Sequence, residues 1–283
     1  MGIGPGPSGD VLQRVDILRS WRAYMRRRNL SEGTIRARMY VIRAWWDHHD
    51  PWTATAATVE LFVDGDVPRS ASTRYSIISH LHAFYGWAMR QGLTDHDPTA
   101  LVDRPLLGQR LPRPIHATDL AVAVMMAPDA EHRAALLLAA GSGLRCVEMA
   151  RLRWDDVHDG QARVLGKGSK ERIVPVHPLA LEALDLISRT GVHVLEGWQT
   201  AQPSNPGWAV SRRLNAYLRS VGVAATAHQL RHYAGTAALE ASGGDLRAVQ
   251  ELLGHSSPAT TALYTRLDTR RLRDVVQRIA LPA

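Results

Sequence analysis

Lysine is almost absent from this chain. Of 34 basic side chains only Lys167 and Lys170 are lysine, both inside the stretch VLGKGSKERIVPV, and the other 32 are arginine. Cysteine is represented by Cys146 alone, which excludes an intramolecular disulfide and any cysteine-based zinc cluster and suits a reducing cytoplasm. No apolar run approaches the ~20 residues that a membrane span requires. The opening MGIGPGPSGD lacks the charged-then-apolar layout of a secretory signal. No internal repeat stands out, and no carboxylate cluster of the kind that holds magnesium.

What is present is an ordinary globular composition with a basic excess. A hydrophobic fraction of 45% over 283 residues is enough for a real core in one or two domains. The net charge is +7 and the pI about 10.0. Basic contacts to phosphate release condensed counterions, so this balance points to a polyanionic partner. A generally solvated basic surface is the plainer alternative.

Residues 10–92 are expected to form an all-helical bundle. In VLQRVDILRSWRAYMRRR, Leu12, Val15, Ile17, Leu18, Trp21 and Met25 recur near a 3.6 period. Ser31 is placed to cap a second helix over EGTIRARMYVIRAWWDHH. TATAATVELFVDG reads as a shorter third, and SASTRYSIISHLHAFYGWAMRQG as a long fourth closed by Gly92. Arg36, Arg38, Arg43, Arg69 and Arg74 are the candidate phosphate contacts on this bundle; taken singly, each is also what a solvated helix face carries. Residues 93–112, rich in proline and without periodicity, read as an interdomain linker. Residues 113–283 form a second, mostly helical domain. Its strand-like patch has two β runs, around Ala162–Leu165 and Arg172–Val176, flanking a Gly-Lys-Gly-Ser-Lys turn.

Four stretches of the second domain carry side chains suited to chemistry. In GSGLRCVEMARLRWDDV, Arg145 follows a Gly-Ser-Gly turn and opens a helix, and Glu148 at i+3 lies on the same face, where a carboxylate can hold a guanidinium. A helix N-terminus also favours an anion. The lysine turn is the second. In AHQLRHYAGTAAL, His228 and Arg231 are again three apart. In LLGHSSPATTALYTRL, His255 follows Gly254 and Tyr264 comes nine residues later. Each alone has a dull explanation: a surface ion pair worth under ~1 kcal/mol, a hairpin, a structural histidine, a tyrosine on a core rim.

As an ordered set they resemble the tyrosine recombinase, or phage integrase, family. The resemblance covers nearly the whole chain. Arg145 in GLRCVE matches the family's first catalytic arginine and Glu148 its supporting acidic residue. Lys167 in GKGSKER matches the β-hairpin lysine. His228 and Arg231 in HQLRH match the His-x-x-Arg box, His255 in LGH the second histidine, and Tyr264 in YTRL the nucleophile. The helical first domain looks like the family's core-binding domain. Two residues depart from the pattern: Cys146 stands where an aliphatic residue is expected, and Tyr233 where threonine is common. Neither falls on a chemical role, and Tyr233 reads as a packing residue.

The resemblance implies a mainly α fold with a small β-sheet: an N-terminal core-binding bundle and a C-terminal mixed α/β catalytic domain. It implies phosphoryl transfer on double-stranded DNA core or attachment sites. Arginine forks and histidine donors hold the non-bridging oxygens, and Tyr264 attacks to give a 3′-phosphotyrosyl bond. The ester is exchanged and not hydrolysed, so neither metal, ATP nor another cofactor is expected. The leaving 5′-oxygen needs a proton. Arginine, with a pKa above ~12, releases one poorly, while lysine starts near ~10.4 and shifts readily. That accounts for Lys167 in an arginine-biased chain. Lys170 is assigned to the DNA backbone. A C-terminal stripe of Leu267, Leu272, Val275, Val276 and Ile279 resembles a helix that similar enzymes exchange with a neighbouring protomer; packing on its own domain is the alternative.

The expectation is therefore a clamp on inverted half-sites, four protomers in the synapse, and strand exchange through a Holliday junction. It would work in the nucleoid of a bacterial host cell, away from any membrane, with an accessory factor setting direction. Only about ten residues precede the first expected helix, so an extra arm-binding domain is expected to be absent. Phage integration and excision is the leading role, a Xer-like chromosome or plasmid resolvase the alternative. Two other classes stay open: a non-catalytic DNA-binding regulator derived from a recombinase, and a type IB topoisomerase acting as a monomer.

Overall fold

The structure is a computed structural model of the chain, and it describes residues 7–108, 111–166, 171–199 and 205–254, with the side chains of 7–12 and 199 excepted. The chain divides into two compact units between residues 109 and 110.

Four helices build the first unit: α1 (Pro7–Arg27), α2 (Glu32–His48), α3 (Ala56–Asp64) and α4 (Ala71–Arg90). Their starts follow from local chemistry. Ser31, Thr55 and Ser70 each adopt an extended backbone and accept the N–H of the residue three further on, satisfying a donor that the first turn leaves free. The 3.6-residue stripe then delivers one face of each helix to a shared interior of Trp21, Met25, Ile35, Ile42, Trp45, Val59, Ile78, Leu81 and Phe84, all at most 1% exposed. The aromatic rings tilt against one another, with Trp21 and Trp87 centroids 5.2 Å apart and Trp45 edge-on to Phe62 at 5.0 Å. One polar group enters this core fully paired. The Tyr85 hydroxyl donates to the Pro51 carbonyl and accepts from Trp45 Nε1, both at 2.9 Å. Leu93 and Val102, inside the expected linker, pack against the same core. Thr99, between them, is buried and donates to Asp97 through its N–H and hydroxyl, and Asp97 also meets His82 at 2.7 Å.

The second unit is built around α6 (Ala130–Gly141), whose run Ala134–Ala140 is buried on every side. Before it comes α5 (Ala117–Met125); after it come α7 (Cys146–Arg151) and a 3-10 turn over Trp154–Asp156. Three antiparallel strands follow in sequence order, β1 (Val157–His158), β2 (Gln161–Leu165) and β3 (Glu171–Pro175). Asp159 and Gly160 join β1 to β2, both with positive φ (49° and 71°), the two-residue turn whose twist matches a hairpin. Ala162 and Val164 alternate inward along β2, and Val174 inward along β3. Among the described residues the remaining helices are α8 (Pro178–Asp185), α9 (Glu196–Gln199), α10 (Pro206–Ser220), α11 (Ala227–Ala241) and α12 (Leu246–Leu253). α11 packs on α6, and α12 packs on α11 through Val249, Leu253, Ala234 and Leu239. Among the described residues no helix is long and apolar enough to cross a membrane.

Candidate active site

Arg145 is held by the helix it precedes. It is the N-cap of α7, with φ −78° and ψ 152°, and Glu148 occupies the third helical position. One carboxylate therefore does two jobs. Its Oε2 accepts the Arg145 backbone N–H at 2.8 Å, and its Oε1 accepts from Arg145 Nη1 at 2.8 Å. Glu148 is completely buried at the side chain, whereas Arg145 keeps 32% of its side-chain surface exposed. Burial acts to raise the Glu148 pKa, but the guanidinium of Arg172 and the N–H and guanidinium of Arg145 outweigh it and hold the group below the usual carboxylate value.

Arg231 lies one turn into α11 and is only 4% exposed. Its Nη1 donates to the Gly143 carbonyl and its Nη2 to the Leu253 carbonyl. Arg145 Nη2 donates to the next carbonyl in the chain, that of Gly254, at 3.0 Å. Two guanidinia thus grip consecutive carbonyls at the C-terminal end of α12, where free carbonyls and the helix dipole both favour cations. Two glycines make the approach. Gly143 has φ 66°, and a Cβ there would stand 2.7 Å from Leu253 Cδ2. Gly254 has φ 58°, and a Cβ there would stand 2.7 Å from Arg172 Nε.

His228 lies one turn before Arg231 on α11. Burial, then the charges of Arg231 and Arg145, depress its pKa, so the ring is neutral near pH 7 and presents one N–H and one lone pair. His232, a further turn on, stacks edge-on to it with centroids 4.4 Å apart. Burial, then His228 and Arg231, push His232 down to about 4. Arg145, Glu148, His228 and Arg231 are therefore brought together. Lys167, Lys170, His255 and Tyr264 lie outside the described residues, as does the C-terminal stripe; the two expected β runs are present as β2 and β3 on either side of residues 167–170.

Arg172 and His232 fall outside the four sequence motifs' candidate residues, yet both belong to this cluster. Arg172 Nη1 donates to Glu148 Oε1 at 2.6 Å and Nη2 to Oε2 at 3.0 Å. Tyr233 packs against the core of the unit, as a packing residue should. The Cys146 thiol, raised to about 11 by burial, stays protonated and unreactive at neutral pH. Among the described residues no group of three or more His, Cys, Asp or Glu side chains is arranged to hold a metal.

The five arginine candidates for DNA contact sit on the first unit. Arg36 and Arg43 line a surface hollow along α2 with Tyr40, which is 75% exposed. Arg38 is half-buried, and its Nε has no hydrogen-bond partner. Arg69 and Arg74 have local work. Arg69 closes α3 by donating to the carbonyls of Phe62 and Val63, and Arg74 pairs with Asp64 at 3.3 Å.

Comparison with known proteins agrees with this architecture. The family model described as the phage integrase family matches residues 118–271. Tyrosine recombinase XerD of Lacticaseibacillus casei is 36% identical over 227 residues, 74% of this chain and 76% of that protein. Tyrosine recombinase XerC of Xylella fastidiosa (strain M23) is 36% identical over 237 residues, 77% and 79% of the two chains. Among solved structures, lambda integrase, crystallised as a tetramer bound to a Holliday junction, aligns over 91% of this chain and 83% of its own with a TM-score of 0.67 and 19% identity, which is a likeness of fold. An arginine–carboxylate–histidine cluster on this mainly helical frame, a family match over more than half its length and relatives at this identity lead to one assignment: the chain belongs to the phage integrase family and is a tyrosine site-specific recombinase.

Proposed function

We propose that the chain performs conservative strand exchange at a specific DNA site, in the manner of a Xer resolvase, with the following division of labour. Arg145 and Arg231 hold the non-bridging oxygens of the scissile phosphodiester, and His228 and His255 add hydrogen-bond donors to them. Tyr264 attacks phosphorus as the phenolate, its proton having passed to solvent, the P–O5′ bond breaks, and Lys167 gives the departing 5′-oxygen its proton. The 3′-phosphotyrosyl ester retains the energy for rejoining, so the cycle needs neither metal nor ATP. The observation that carries the reading is the pair of guanidinia on the carbonyls of Leu253 and Gly254. It sets two fixed cations side by side, one of them partly exposed to an incoming phosphate.

Arg36, Arg38, Arg43, Arg69, Arg74 and Lys170 supply the backbone contacts that fix register on the duplex. Four protomers exchange their C-terminal helices on a Holliday junction in the bacterial nucleoid, and an accessory factor sets direction. Similarity to XerC and XerD at 36% identity favours resolution of chromosome or plasmid copies over phage integration and excision.

The test is covalent trapping. A pool of nicked duplexes with a randomised core is incubated with the protein, and adducts are recovered from a denaturing gel and sequenced. Wild type forms an adduct on a convergent sequence, and Tyr264→Phe forms none. Sequence-selective binding by wild type with no adduct refutes the enzyme reading in favour of a DNA-binding regulator. Adducts without sequence convergence would point to a topoisomerase.

A further inference from the structure

We propose that Arg172 is a positioning residue for strand cleavage. It fixes Glu148, and through Glu148 and Gly254 it sets the orientation of the Arg145 guanidinium. This role rests on the recombinase reading above.

The hydrogen-bond pattern is reciprocal. Each oxygen of Glu148 takes one hydrogen from Arg145 and one from Arg172: Oε1 from Arg145 Nη1 at 2.8 Å and Arg172 Nη1 at 2.6 Å, Oε2 from the Arg145 N–H at 2.8 Å and Arg172 Nη2 at 3.0 Å. The carboxylate has no surface exposed, so water cannot replace a missing donor. Without the Arg172 fork, two of its four acceptor sites are empty and the group is free to turn about its Cγ–Cδ bond, taking Arg145 with it. The two arginines differ in which way they face. Arg172 is 16% exposed at the side chain and has both Nη groups turned inward, whereas Arg145 is 32% exposed. Arg172 also lies under Gly254, within 2.7–2.9 Å of where a Cβ would be, and Gly254 is the residue whose carbonyl accepts from Arg145 Nη2 at 3.0 Å. It therefore touches both groups that orient Arg145.

Charge favours the same role. Arg145, Arg172 and Arg231 carry three positive charges and Glu148 one negative, leaving the cluster with a net charge of +2. A diester gains a second negative charge as a phenolate attacks it, and preorganised cations stabilise that change most effectively. Arg172 supplies one of these charges from a position facing away from the substrate.

The experiment uses a duplex recovered by the adduct selection, made in two forms, with oxygen or sulfur at the bridging 5′ position of the scissile phosphodiester. In both, the Tyr264 oxygen bonds to phosphorus as the bridging bond breaks. The oxygen must be protonated as it leaves, whereas sulfur leaves as a thiolate without help. Arg172→Lys keeps the charge beside Glu148 but loses the fork. Its single-turnover cleavage is expected to fall roughly tenfold or more on both duplexes, because small misplacements of a catalytic group are costly. DNA affinity stays within about twofold of wild type, since the loss belongs to the transition state. Lys167→Ala is the contrast, slow on oxygen and restored by sulfur. Cleavage by Arg172→Lys within about twofold of wild type would overturn the proposal. So would restoration of that variant by sulfur, which would place Arg172 behind the proton donor. Arg172→Gln is the second variant, and loss of the folded state in both would assign Arg172 to architecture alone and equally refute positioning. The wild-type arm keeps the two readings apart. No wild-type adduct on either duplex counts against the recombinase reading itself, whereas a wild-type adduct with an unimpaired variant refutes only the role of Arg172.

Discussion

Replacing Glu148 with glutamine changes one oxygen into an NH2 group on a side chain with no exposed surface. The carboxylate now receives four hydrogens, two from Arg145 and two from Arg172. A glutamine amide can accept two of them through its oxygen. Its NH2 points donor hydrogens at the donors of both arginines, so two charge-assisted bonds are lost. At ~1.5–3 kcal/mol for each bond to a charged group, the loss comes to roughly 3–6 kcal/mol. Removing one partner of a buried ion pair independently suggests ~3–5 kcal/mol. The two routes converge on about 3–5 kcal/mol. For a unit of 150–250 residues a loss of 1 kcal/mol lowers the midpoint by ~2–4 °C, so calorimetry should show the C-terminal transition falling by roughly 6–20 °C.

The same variant makes a prediction about pH. Glu148 has a folded pKa below its ordinary 4.5, so the unfolded chain binds the proton more tightly. Its contribution is present in full above pH 4.5 and fades as pH falls through the lower, folded value. The stability gap between wild type and Glu148→Gln should therefore be widest near neutrality and narrow below pH 4.5. A gap under ~1 kcal/mol at pH 7, the size of an exposed pair, would refute the reasoning. A gap that does not change with pH would refute it too.

Three further outcomes follow from the geometry. Tyr85→Phe leaves Trp45 Nε1–H and the Pro51 carbonyl unpaired in the first core; chemical denaturation of that unit should register a loss of about 1–3 kcal/mol. Gly254→Ala forces a left-handed backbone at ~1–2 kcal/mol for the conformation alone, before the Cβ meets Arg172, so a stability change under ~0.5 kcal/mol would contradict the turn geometry. His228 and His232 are held below 6.5 in the folded unit, His232 at about 4, so the unfolded chain takes up protons first and stability drops as pH falls below 6.5 toward about 4. In His232→Gln that slope should be shallower in calorimetric scans, and an unchanged slope would show that His232 is not the titrating group.

Much of this frame is legible in the sequence because its causes are local. Ser31 and the apolar stripe after it define α2 without reference to any other segment. The three-residue spacing of Arg145 and Glu148, and of His228 and Arg231, is sufficient to put each pair on one helical turn. The segment 93–102 reads as a linker because the contacts that tie it down have no period: Thr99 is fixed by Asp97, and Asp97 by His82, 15 residues earlier. The strand β1 is two residues long, too short to alternate, although the Asp159–Gly160 pair after it is a hairpin signal. Arg172 is the instructive case. It pairs with a residue 24 positions away, a separation that no helical spacing reveals. Yet β3 alternates, with Glu171, Ile173 and Pro175 outward and Val174 buried, so period two puts Arg172 on the inward face. A guanidinium on the inward face of a strand needs a buried anion. In the structure that anion is Glu148, fixed at the helix N-terminus beside Arg145. The pattern of one short strand thus marks Arg172 as inward-facing, and the fold then joins the sheet to Arg145 through their shared carboxylate.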